Sequence, residues 1–252
     1  MGAAELWQVT RWWRRWRKPA LDIGLIAALL LAVSFLPPDT SLAERRKQRV
    51  LRFCVPDLAS PLVAADQPGA PGPELRQMQA VAARLGLPLQ TVAIANMGRS
   101  FNPRDWQIGR GQCDIIGGGL ADSSANRDFL TLLPNGGRIA MVRAGPAAEL
   151  PKGAEIGVFM GSAGLDRLRL SGWLRAQGWR ARPLATQAAL DAYLRGGGTA
   201  LASTLTPLPP DTKVADLPPE AAESQSLAFG LWRGDVTLTR AVRRALSQTP
   251  AR

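Results

Sequence analysis

Apolar positions along the chain alternate between two spacings. Short apolar runs bounded by turn residues, at 50–55, 87–94, 113–116, 130–134, 139–142, 155–159, 199–204 and 227–232, read as buried strands. Between them the spacing becomes helical. Leu75, Met78, Val81, Ala82 and Leu85 line one face of residues 74–85, stopped by Gly86. Residues 165–175 and 186–194 read as further helices, the second stopped by Gly196 to Gly198. Leu238, Val242, Ala245 and Leu246 give a C-terminal helix its apolar face, and a short helical segment precedes Gly109. Strands alternating with helices imply an α/β fold with parallel neighbours and right-handed crossovers. The Pro- and Gly-containing residues 144–153 read as a connection between lobes, and the proline-rich run 207–219 carries the chain onward.

The first 43 residues stand outside this pattern. Residues 7–18 are basic and rich in tryptophan, residues 23–36 are a 14-residue run of mostly aliphatic side chains, and Pro37-Pro38 ends it. Such a run after a basic segment is typical of an export signal and marginal for a membrane span. Ser41-Leu42-Ala43 offers small residues for cleavage before Glu44; an uncleaved anchor over residues 20–36, with tryptophans at the interface, is the competing reading. Arg14-Arg15 reads as ordinary positive-inside charge. Both readings place the chain in the periplasm, soluble or anchored. Residues 44–49 read as a charged linker.

The stretch 111–127, GQCDIIGGGLADSSANR, organises the rest. Three glycines, Gly117 to Gly119, follow a buried strand and remove side chains where it ends, which suits either a pocket mouth or a tight strand-to-helix turn. Ligands of open α/β sheets bind beyond the strand ends, near helix N-termini. Asp122, Ser123 and Ser124 are candidate caps, and Arg127 one turn later is a bidentate donor suited to a carboxylate or phosphate.

With Gly111, Gln112, Cys113, Asp114, Ile115 and Ile116, followed by Ser124, Ala125, Asn126 and Arg127, the stretch resembles the type 2 periplasmic solute-binding proteins of ABC importers, in particular the polar amino-acid branch. The register of residues 72–86 resembles that family's first helix, and GVFMGSAGLDRL its entry to the second lobe. The likeness spans roughly residues 50–247. It implies a bilobal fold of two parallel-sheet lobes with two crossovers, preceded by the export or anchor helix: residues 1–43 as signal or anchor, 44–143 with 227–252 as the first lobe, and 144–226 as the second. It also implies a ligand site at Arg127, Ser124, Asp122, Leu120 and Gly119 of the first lobe, Gly161, Ser162 and Ala163 of the second, Thr204 at a strand end, and Asp57 in the post-strand loop. Ser162 suits a helix cap as well as a ligand donor.

Three departures from the family pattern bear on the ligand. Asp122 stands where a hydroxyl helps hold a carboxylate, either paired with Arg127 or turned away as a cap, and Thr204 stands where an Asp holds an ammonium group. Leu62 replaces the aromatic that stacks on the ligand. A weaker likeness joins the Cys-containing first strand and Gly-x-Cys-Asp segment to members associated with quinoprotein dehydrogenases.

Charge and cysteine usage refine the picture. The chain carries 31 basic and 20 acidic residues, a net charge of +11, and all but four of its basic residues are arginine. Beyond residue 43 the balance is still +9, which could serve nucleic acid, but that part of the chain has no aromatic-interleaved basic face or RNA-binding signature, and export argues against that role. Two cysteines beyond the export segment, Cys54 and Cys113, suit a disulfide or two buried thiols. No metal, haem or other cofactor is expected. The leading expectation is a non-enzymatic solute-binding protein closing on a small polar ligand for an inner-membrane permease. The alternatives are a membrane-tethered accessory or sensory subunit that docks a protein, and a cyclohexadienyl-dehydratase-like enzyme with Asp122 as acid or base.

Overall fold

A computed structural model describes residues 18–31, 39–57, 61–64, 71–97, 100, 102–145, 150–159 and 166–248. The chain divides into two units, residues 1–39 and 40–252. In the first, residues 18–31 are helical and exposed. Among the described residues no helix is long and apolar enough to cross a membrane. The end of the apolar run, residues 32–36, lies outside them, as do Gly161, Ser162 and Ala163.

The second unit opens on helix α1 (Ser41–Gln48), where the sequence suggested a cleavage site and a linker. The Thr40 hydroxyl bonds the Glu44 carboxylate at 2.7 Å, and Leu42 packs against the apolar core. Strands β1 (Leu51–Pro56), β2 (Leu89–Ile94) and β3 (Ile115–Ile116) pair in parallel, with β1 central. Helix α2 (Pro73–Leu85) crosses between β1 and β2, with Pro73 starting it and Gly86 closing it in a left-handed conformation. Its apolar face meets Phe53, Ile115 and Phe229 in one core.

After the short helix α3 (Ser124–Phe129) comes β4 (Leu130–Ala144), a single strand of 15 residues where the pattern suggested two. Residues 130–138 pair antiparallel with β9 (Ser226–Trp232), and residues 139–144 pair with β7 (Thr199–Ser203) and β8 (Thr212–Ala215). A register shift between Pro134 and Arg138, with Gly136 at φ 81°, separates the two halves. Beyond it, β5 (Glu155–Phe159) pairs in parallel with β6 (Arg180–Pro183) and β7.

Helices α4 (Arg167–Ala176) and α5 (Gln187–Arg195) complete that half, capped by Asp166 and Thr186. The cap of α4 is thus Asp166, which accepts from the N–H groups of Leu168 and Arg169 at 3.0 Å. Helix α6 (Val236–Ser247) returns to pack on α1 and α2. The sheet order is β2-β1-β3-β9-β4-β7-β5-β6, with β8 alongside β4. The end groups are parallel, while β9 and β4 enter antiparallel.

Candidate functional site

The strand end that β3 presents is occupied from within the chain. Gly118 and Gly119 adopt φ 91° and 88°, and a Cβ at Gly118 would stand 2.3 Å from Pro56 Cδ, so the turn needs glycine there. Their N–H groups point at Glu74, on the first turn of α2: Gly118 donates to Oε2 at 2.6 Å, and Gly119 donates at 3.2 Å. Asn135, at the register shift of β4, donates its amide to Glu74 Oε1 at 2.9 Å and accepts from the Gly137 N–H at 2.9 Å. Gln77 donates to the Asn135 carbonyl at 3.0 Å. Glu74 is 0% exposed. Burial pushes its carboxyl up to about 7, against the opposing pull of the three hydrogen bonds.

Glu74 was invisible as a site residue in the sequence, where it read as an acid in the first turn of an amphipathic helix. The one signal was its place directly after Gly72-Pro73. The Gly72 N–H donates to the Val63 carbonyl, the Glu74 N–H donates to that of Leu62, and a Cβ on Gly72 would meet Leu62 backbone at 2.3 Å. This close approach pins the post-β1 loop to α2 and turns Glu74 inward.

Arg127 is also taken. Its Nε and one terminal nitrogen donate to the two oxygens of Asp122 at 2.7 and 2.9 Å. The pairing raises the guanidinium pKa, chiefly through the hydrogen bond to Asp122. Of the two readings of Asp122, paired or turned away as a cap, the structure has the paired one; the cap of α3 is Ser123, which accepts from the Asn126 N–H. A third acid completes the set. Glu223, from the segment entering β9, accepts from the Ser124 N–H at 2.8 Å, and that bond lowers its pKa.

The remaining expected residues do not converge on an open cleft. Leu120 is fully buried, and its carbonyl accepts from Ala228 of β9. Thr204 accepts from the Arg138 N–H through its hydroxyl, and Asp57 is exposed beside the end of β2. Leu62 and Ala121, beside β1 and β3, belong to one apolar cluster with Trp173 and Leu174 of α4, Leu201 of β7, and Leu217 and Ala221 of the return segment. A cavity of about 270 Å³ lined by Thr131, Gly234, Asp235, Val236, Thr239, Arg240 and Arg243 includes none of the expected site residues. Cys54 and Cys113 are joined by a disulfide with a Cα–Cα distance of 5.5 Å, tying β1 to the residue ahead of Asp114.

No protein-family model and no curated protein matches the sequence. Solved structures do. A mutant of ArgBP from T. maritima superposes with a TM-score of 0.53 at 15% identity, over 82% of this chain and 92% of that one. An ancestral amino acid-binding protein, a precursor of cyclohexadienyl dehydratase, gives 0.53 at 16% identity over 82% and 92%. An amino acid ABC transporter substrate-binding protein from Streptococcus pneumoniae, bound to L-arginine, gives 0.51 at 15% identity over 82% and 91%. These likenesses show the fold, the type 2 architecture of amino-acid ABC transporter substrate-binding proteins.

Proposed function

We propose that this chain is an extracytoplasmic protein that keeps the solute-binding fold without an α-amino-acid site, and that it serves as a membrane-tethered accessory subunit docking a protein partner. The observation that carries the reading is the occupancy of the donor groups. The Gly118 and Gly119 N–H groups, the Arg127 guanidinium and the Ser124 N–H hold the carboxylates of Glu74, Asp122 and Glu223 respectively. A ligand carboxylate entering here would have to displace an internal carboxyl group, and Thr204 supplies no anion for an ammonium group.

Two lobes meet at β4: one formed by the β2-β1-β3-β9 group with α1, α2 and α6, the other by the β7-β5-β6 group with α4 and α5. In this reading the first crossing falls at the register shift in β4, between Pro134 and Arg138 and ahead of the expected boundary at 143/144, and the second falls ahead of β9. The apolar cluster that includes Leu62, Ala121 and Trp173 supports a cleft held shut by side chains. Tethering is supported by α1, which spans the expected cleavage point and is bonded into the fold. Ser41 and Thr237 hydroxyls lie 3.0 Å apart, and the Leu238 N–H donates to the Ser41 hydroxyl at 3.2 Å.

A second reading, a binder of some other small polar solute delivered to a permease, is favoured by the likeness to ABC transporter substrate-binding proteins. Native mass spectrometry of the full chain extracted from its own envelope separates the two. Retention of a protein partner without a small molecule supports the accessory role; a stoichiometric small molecule and no partner supports the solute binder.

A further inference from the structure

One helical layer of the folded unit presents exposed cations with almost no exposed acid among them. Helices α1, α2 and α6 cover the same face of the β2-β1-β3-β9 group, because Leu42, Met78, Val81, Leu238 and Val242 share one core. Their outward positions carry Arg46 and Lys47 on α1, Arg84 on α2, and Arg240, Arg243 and Arg244 on α6, all exposed. The only exposed carboxylate on the three helices is Glu44, 3.5 Å from Arg45. The patch is continuous: α6 packs on both other helices, and Arg84 donates to the Gln248 carbonyl at the end of α6. In the other half of the sheet the signs are mixed, as in the Arg182–Glu155 and Arg138–Asp216 pairs.

We infer that this helical layer is a docking surface for an anionic bilayer, on which the folded unit lies with α1, α2 and α6 toward the lipid headgroups. Charge complementarity is one argument, since polybasic surfaces near anionic membranes gain affinity with each Lys or Arg within a screening length. Covalent continuity is the other. The apolar run ends at Leu36, with only four residues between it and Ser41, and α1 belongs to this layer, so on the proposed tethering, on which this inference rests, the bilayer is the first anionic surface within its reach. An acidic protein would meet the same charges, but nothing in the chain brings one to this face. Lying on this layer leaves β6, β8 and α5 facing away from the lipid.

The surface is tested with the full chain in nanodiscs of phosphatidylcholine alone or with about one-third phosphatidylglycerol, by hydroxyl-radical footprinting at low and at roughly 0.5 M salt. Side chains on α2 and α6 should lose at least twofold of their labelling in the anionic discs at low salt and recover it at high salt. Labelling of β8 and α5 should not change. The variant R240E/R243E/R244E should show no difference between the two lipids. Should that variant fail to fold, the salt dependence of the unaltered protein decides. Equal labelling in both lipids overturns the inference, as does salt-insensitive protection or protection that requires an added acidic protein. Loss of the chain from discs of either lipid would instead show that the N-terminal segment does not anchor it, a separate outcome.

Discussion

Arg45 and Asp114 form a buried ion pair: the guanidinium lies 2.8 Å from the carboxylate, with 10% and 2% of the two side chains exposed. Asp114 also accepts from the Arg52 N–H at 2.7 Å, and burial raises its carboxyl against both partners. The pair joins α1, which the sequence placed between export signal and fold, to the motif that organises the first half of the chain. Removing one member of a buried pair strands the other. Arg45→Ala should therefore lower unfolding free energy by roughly 3 to 5 kcal/mol, read as a shift in urea midpoint at unchanged slope. A loss well below 1 kcal/mol would show that solvent reaches Asp114 without cost.

A related comparison concerns the chain's own start. Two chains, one beginning at Thr40 and one at Glu44, differ by the burial of Leu42 and by the bonds of Ser41 to Thr237 and Leu238. The shorter should be less stable by about 2 kcal/mol, combining a partly buried leucine with one or two exchanged hydrogen bonds. Equal stability would remove the structural reason for retaining residues 40–43.

The disulfide allows a further test. Cys54 and Cys113 close a loop with a sequence separation of 59. A Cys54→Ala/Cys113→Ala variant should lose roughly 4 kcal/mol by loop entropy, measured by denaturant unfolding. An unchanged midpoint would mean that the unfolded chain is already compact around these residues.

What the sequence revealed depended on how local each signal was. Strand and helix spacing, the Gly86 stop and the pairing option for Asp122 are set by near neighbours, and they were legible. Helix α1 was not, because Thr40 to Glu44 carries a helix-start pattern and a cleavage pattern at once. Its choice is made by α6, which lies some two hundred residues later in the chain. β4 read as two strands because Asn135, Gly136 and Gly137 resemble a turn, whereas cross-strand pairing with β9 and β7 carries the strand through them. Edge strands β6 and β8 lack buried faces and so lack an apolar pattern. Glu74 was missed because its partners, Gly118, Gly119 and Asn135, arrive only with the tertiary fold.

Glu74 makes stability depend on pH in a definite direction. Its folded value of about 7 lies above the ordinary 4.5, so the folded state holds a proton that the unfolded state releases between these values. Stability from this group is full below pH 4.5, falls as pH rises toward 7, and is flat above, a span of roughly 3 kcal/mol. Asp114, raised by burial, contributes in the same sense. Urea unfolding of the unaltered protein from pH 4.5 to 8 should show this decline, and Glu74→Gln should remove most of it. A midpoint that rises over the same range in both proteins would assign the pH dependence to other groups.

The occupied donors lead to the last expectation, a gain of binding. If Asp122 and Glu223 fill places that a ligand carboxylate would take, the unaltered protein should show no micromolar isotherm with any of the twenty amino acids in calorimetric titration. Asp122→Thr with Glu223→Ala frees both the Arg127 guanidinium and the Ser124 N–H, each a charge-assisted bond of about 1.5 to 3 kcal/mol to an incoming carboxylate. The double variant should then bind an α-amino acid at least about tenfold more tightly per contact regained, less the cost of parting the apolar cluster of Leu62 and Trp173. Adding Arg127→Ala should remove that gain. A micromolar isotherm from the unaltered protein would show that Asp122 yields to a ligand and that the cleft opens. Absence of any gain in the double variant would place the obstacle in the apolar closure, where Leu62→Ala becomes the change to add.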